Sequence, residues 1–184
     1  MNNKNHRVVI LDPPWPKMSG EKYYSTLPLS RIKQLGIALE EHMADDSVCA
    51  LWVTNTLVPE GREVLAEFGY QFKSMVTWAK DRKGFGTPFR NSTEQLLIGT
   101  KGRPEVLFRN QGTLVFAPLQ DHSHKPEEIH VILERMFDGP FLEIFARRSR
   151  PGWHVWGNEV RSDIDLAGWP VPDAPATRSR TDVA

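Results

Sequence analysis

The residues with the clearest chemical potential are Asp12-Pro13-Pro14-Trp15, which directly follow the apolar run Val8-Val9-Ile10-Leu11. A carboxylate thus falls where a buried strand leaves its sheet, and in open α/β sheets ligands bind in the crevice beyond the strand ends. Consecutive prolines remove two backbone donors and hold themselves and their predecessors extended. The turn is predicted to be stiff, with carbonyl oxygens that have no donors nearby. A carboxylate beside a bare carbonyl forms a two-acceptor site for an amine that carries two N–H donors. The exocyclic amine of adenine is such a group, and a poor nucleophile, because its lone pair is delocalised into the ring. Paired acceptors draw the nitrogen toward tetrahedral geometry, an effect that grows as positive charge develops on it. Trp15 adds a flat face on which an extruded base can stack, worth about 1–3 kcal/mol. The plainer alternative makes Asp12 a turn cap and Trp15 a piece of core, since Asp-Pro alone is common at turns.

The elements that must position this turn follow from the apolar pattern. Runs at 8–11, 48–53, 72–78, 95–98, 114–116 and 141–145 alternate with segments of helical period, which argues for an α/β layer fold with a largely parallel sheet. The first helix is predicted to start at a Ser30 cap and to bury Ile32, Leu35, Leu39 and Met43. A second starts near Pro59 and Glu60, buries Val64, Leu65 and Phe68, and stops at Gly69. The third has Pro126, Glu127 and Glu128 in its first turn, where carboxylates meet the positive end of the helix dipole. Its expected apolar face is Ile129, Ile132, Leu133 and Met136, and Asp138-Gly139-Pro140 ends it. Trp15 to Pro28 and Lys80 to Ser92 read as loops, the usual seat of function beside a rigid sheet. One domain over 1–167 is expected, with 168–184, rich in Pro, Ala, Arg, Ser, Thr and Asp, as a disordered tail.

Composition narrows the classes. The 23 basic and 23 acidic side chains cancel, so no global charge draws a polyanion, although Lys80, Arg82, Lys83 and Arg90 form a local basic group. No apolar stretch is long enough for a membrane span and no signal-peptide core follows Met1, so a cytoplasmic protein without membrane contact is expected. Cys49 is the single cysteine, which excludes intrachain disulfides and Cys-based zinc. His122 and His124 lack further ligands at metal spacing, and no metal is expected. Arg90 and Glu94 close the second loop, where an arginine can contact phosphate and a carboxylate a base edge, or both can serve as strand-entry charges.

Taken together and in order, four segments resemble one known family. They are Asp12-Pro13-Pro14-Trp15, Tyr24-Ser25-Thr26-Leu27, Ser123-His124-Lys125-Pro126-Glu127-Glu128-Ile129, and Leu142-Glu143-Ile144-Phe145-Ala146-Arg147 with Gly152-Trp153 and Gly157-Asn158-Glu159. The family is the adenine N6-methyltransferases typified by the seventy-kilodalton catalytic subunit of the eukaryotic mRNA adenosine methyltransferase, its compact bacterial and phage members above all. The likeness runs from about Arg7 to Val160. It implies a Rossmann-like fold dependent on S-adenosylmethionine, mostly parallel, with helices on both faces and with the catalytic strand first and the cofactor strand last. By position it implies Asp12, Pro13, Pro14 and Trp15 as catalytic, and Trp15 and Tyr24 beside the substrate. For the cofactor it implies Asp12, Lys125, Glu143, Phe145, Arg147, Asn158 and Glu159. The family often has glutamine where Glu159 stands, and an upstream acidic residue of its larger members has no counterpart before Asp12. With no long insertion to recognise a target, specificity falls to the 80–92 loop or to a partner, a second copy or another subunit. The implied activity is methyl transfer to the N6 amine of adenine in nucleic acid, with DNA favoured over RNA. The alternatives are N-methylation of an amide or amine in protein or a small molecule, and an inactive nucleic-acid-binding scaffold.

Overall fold

In the computed structural model, residues 5–16, 26–84, 86–120 and 124–169 are described. Among them, strands β1 (His6–Leu11), β2 (Met43–Val53), β3 (Gln71–Ala79), β4 (Thr93–Lys101), β5 (Leu114–Phe116), β6 (Phe141–Ile144) and β7 (Trp153–Trp156) form one sheet. Its order is β5-β3-β4-β2-β1-β6-β7. β4 runs antiparallel to both neighbours, and every other pairing is parallel. The expected largely parallel sheet is therefore present, and each of the six predicted runs is a strand. β7 lacks an apolar run and escapes periodicity; it is held by parallel pairing with β6 and by Trp153 stacked on Phe141 at 4.9 Å.

β1 lies centrally because both of its faces are apolar, as a strand covered on two sides requires. Val9 and Leu11 join a core with helices α1 (Leu29–Glu40) and α2 (Val58–Glu67), while Val8 and Ile10 join a second core with α3 (Glu128–Met136). Helices thus cover both faces. β1 leads through α1 to β2 on one side, and β6 arrives after α3 on the other, so the chain switches direction at the end of β1. Such a switch point is where open α/β sheets bind ligands.

Four local expectations change. Met43, placed by its spacing on the first helix, instead opens β2, because α1 ends at Glu40. Ser30 makes no cap bond: the cap position falls two residues earlier, at Pro28, whose carbonyl accepts from the Arg31 and Ile32 amides at 2.9 and 3.1 Å. Phe145 leaves β6 and takes φ 65°, a left-handed conformation unusual for a side chain of that bulk. Packing also continues two residues past the predicted boundary, since Trp169 is buried with the Arg31 guanidinium 4.0 Å over its ring. Residues 170–184 of the predicted tail lie outside the described residues.

Candidate active site

Asp12 follows β1 directly and projects on the α3 side, the side of Ile10. Pro13 is buried and the turn is closed tightly, with the Pro13 carbonyl accepting from the Trp15 amide at 2.8 Å and the Pro14 carbonyl from Leu27 at 2.8 Å. The expectation of bare carbonyls is corrected here: a stiff turn can fold its own next free amide back onto the proline oxygen. A carbonyl has two lone pairs, so Pro13 keeps one acceptor position. Trp15 is half-buried against the α1 side, and its indole N–H donates to the Trp52 carbonyl at 2.8 Å. It is both packed, as the plainer reading has it, and fixed in orientation.

Beyond Asp12 the charges alternate. Lys125 Nζ donates to Asp12 Oδ2 at 2.7 Å and lies 3.2 Å from Glu94 Oε2, and Lys80 pairs with the other Glu94 oxygen. All four are largely buried, between 10% and 29% exposed, so each charge depends on its neighbours rather than on water. Burial pushes the Glu94 carboxyl up, but two ammonium groups outweigh it and hold the group below its ordinary value. Asp12 ends above its ordinary value, because removal from water and the nearby Glu94 charge outweigh its single share of Lys125. Burial alone would lower Lys125, yet its two carboxylates raise it. By sequence Lys125 belongs to the cofactor, Glu94 to a base edge or a strand entry, and Lys80 to a local basic group. In the structure they form one buried chain that ends on the proposed catalytic carboxylate.

On the β6 side a cleft of about 200 Å³ opens, lined in part by Asp12, Trp52, Lys125, Glu143, Phe145 and Arg147. Five of the seven residues expected to hold the cofactor thus share one cavity. Asn158 and Glu159 stand beside it, with a Glu159 oxygen 3.7 Å from Arg147. Gly157 sets their place: a Cβ there would lie 2.1 Å from the Ala146 carbonyl, so only glycine lets the chain after β7 close on the chain after β6. His124, Glu127, His130, Arg148 and Arg150 also line the cleft and went unassigned from sequence. Arg150 could have been suspected from its charge among aromatics; it grips Glu134 and Glu127 at 2.8 Å each. Arg90 is exposed on the 80–92 loop, outside the cleft lining, and Tyr24 lies outside the described residues.

The profile of the MT-A70 family matches residues 6–159, from the first residue of β1 to just past β7. The chain belongs to the MT-A70 family. Among the relatives of this MT-A70 chain is the human N(6)-adenosine-methyltransferase catalytic subunit METTL3, 33% identical over 167 residues, which covers 83% of this chain and 28% of that protein. The Drosophila melanogaster N(6)-adenosine-methyltransferase MT-A70-like protein is 32% identical over 165 residues, with 83% of this chain and 26% of that protein covered. The N6-methyladenosine RNA methyltransferase MTA1 of Pyricularia oryzae is 29% identical over 199 residues, covering 94% of this chain and 52% of that protein. The chain therefore spans between about a quarter and a half of these relatives.

MT-A70 proteins use S-adenosylmethionine as methyl donor. The donor set of the cleft fits it: cations for a carboxylate (Lys125, Arg147, Arg148), carboxylates for ammonium and hydroxyl groups (Asp12, Glu143), and the flat Phe145 and Trp52. Two lining residues also keep a buried ring nitrogen without a partner among the described residues, Trp52 Nε1 and His130 Nδ1.

Proposed function

We propose that this chain transfers a methyl group from S-adenosylmethionine to the N6 amine of adenine in nucleic acid. The observation that carries this reading is Asp12: a carboxylate at the sheet's switch point, raised by burial, beside a proline carbonyl with one free acceptor position and at the edge of the Glu143–Arg147 cleft. Lys125 and Arg147 bind the carboxylate of the cofactor, Glu143 and Phe145 its nucleoside, and Asn158 and Glu159 close that end. Asp12 and Pro13 accept the two amine N–H groups and localise the lone pair on nitrogen, while Trp15 and Pro14 hold the base. S-adenosylmethionine supplies an electrophilic methyl on its sulfonium. With it bound, the amine held by Asp12 and Pro13 would form its N–C bond as the S–C bond broke, and the proton lost from the amine would pass to solvent. Arg90 and its loop contact the flanking phosphates.

DNA is the polymer favoured from sequence, whereas the fungal relative is named for RNA. The test offers labelled S-adenosylmethionine with DNA, RNA and peptide in parallel, followed by digestion to nucleosides and mass spectrometry. N6-methylated adenine in either polymer is the expected product, and the more strongly labelled polymer identifies the substrate. Label in peptide alone would overturn the proposal.

A further inference from the structure

The α3 face of the sheet is apolar along Val8, Ile10, Val48, Ala50, Trp52 and Leu96. Glu143 interrupts it from within: it pairs in register with Ile10 of β1 and Val155 of β7 and is 22% exposed. A carboxylate placed there loses much of its hydration and needs a donor. The helix above breaks its own pattern at the same point, since His130 is buried beside Ile129 and Leu133. The two meet, with His130 Nε2 donating to Glu143 Oε2 at 2.9 Å. The ring is fixed edge-on against Trp153, centroids 4.8 Å apart, and its Nδ1 is buried with no partner among the described residues. Glu143 thus sets where the ring's proton sits, because a carboxylate only accepts.

Three carboxylates line the cleft. Asp12 is held by Lys125 and Glu127 by Arg150, both permanent cations, whereas Glu143 is held by an imidazole. With one oxygen accepting from His130, the carboxylate keeps further acceptor positions that suit hydroxyl donors, the chemistry of a ribose diol. We propose that His130 is a positioning residue of this cleft: by donating to Glu143 it turns that carboxylate toward the hydroxyls of the bound cofactor. Two mutually matched breaks in otherwise apolar patterns are what a functional site imposes on a fold. The inference rests on the reading of the cleft as the S-adenosylmethionine site.

The test titrates the full chain with S-adenosylhomocysteine by calorimetry. His130→Phe removes the donor and keeps an aromatic against Trp153; affinity falls roughly tenfold, the loss of one hydrogen bond to a charged group. His130→Gln restores a side-chain donor and recovers most of the affinity, which a purely structural role would not give. In the Glu143→Gln background, His130→Phe adds little, because the two act as one unit. Wild-type affinity in His130→Phe, or losses that add fully with those of Glu143→Gln, would overturn the proposal. A wild-type chain that binds no S-adenosylhomocysteine would overturn the cofactor reading itself, a distinct result.

Discussion

The two faces of this sheet are built from the same strands yet serve opposite ends. On the α1–α2 face, Val9, Leu11, Cys49, Leu51, Val53, Leu97, Leu142 and Ile144 form an unbroken apolar layer. On the α3 face the corresponding layer gives way at the end of the sheet where β1 and β6 finish and the antiparallel β4 begins, and there Asp12, Glu94 and Glu143 stand. Each of these carboxylates has a specific counter-group from elsewhere in the chain: Lys125, Lys80 and His130. The difference shows which face carries stability and which carries chemistry. A buried ion pair is weak evidence for stability, because desolvation offsets most of the attraction. Four buried charges, with Lys80 over Trp78 and Lys125 over Trp52, are better explained by what they do to Asp12.

If this division is right, substitutions on the two faces separate rate from stability. Asp12→Ala gives the largest effect on the chemical face, a loss of methyl transfer of roughly a hundredfold or more, as when an acceptor of transition-state charge is removed. Its unfolding midpoint, read by thermal melt, falls less than that of a core truncation, because Lys125 keeps Glu94 as a partner when Asp12 is lost. Residual activity near the wild-type level would remove Asp12 from the mechanism. Leu35→Ala on the other face does the reverse. Leu35 is fully buried between α1 and the sheet, so its truncation costs about 2–5 kcal/mol in denaturant unfolding while the rate at low temperature is preserved. Rate and stability falling together in both variants would mean that the faces are not separable.

How far this was legible from sequence also differs between the faces. The apolar face follows from periodicity alone, because 3.6-residue and two-residue repeats reflect burial on one side: Ile32, Leu35 and Leu39 of α1 and Val64 and Leu65 of α2 are buried as their spacing predicts, while Met43, at the same spacing, belongs to β2. The tetrapeptide was legible because it follows a strand and contains a carboxylate. The partners of the chemical face were not. Lys80 and Glu94 meet across the β3–β4 pair, but Lys125 lies ahead of α3 and reaches both Glu94 and Asp12 only because the sheet order β3-β4-β2-β1 brings those two together, which no local pattern encodes. His130 was hidden in a helix whose stripe was drawn through Ile132 and Met136; the buried stripe runs through Ile129, His130 and Leu133. A polar residue inside an apolar stripe is the signal in the sequence that marks such a position.

The smallest expected effect tests the electrostatic coupling within the chemical face. Asp12 is raised by removal from water and, among the nearby charges, by Glu94, while Lys125 opposes both. The acceptor role needs the ionised carboxylate, so transfer falls as pH drops through a value raised above that of an ordinary aspartate. Glu94→Gln removes the like charge, and it also leaves Lys125 with one carboxylate to serve instead of two. Both changes favour ionised Asp12, so the acid limb of the rate profile moves to lower pH. The shift is expected within about one unit, a little over 1 kcal/mol between the two protonation states. Glu94→Asp keeps the charge and holds the limb near its wild-type position. A limb that stays put in Glu94→Gln, or rises, would mean that Lys125 and Glu94 are held for packing and that Asp12 titrates independently of them.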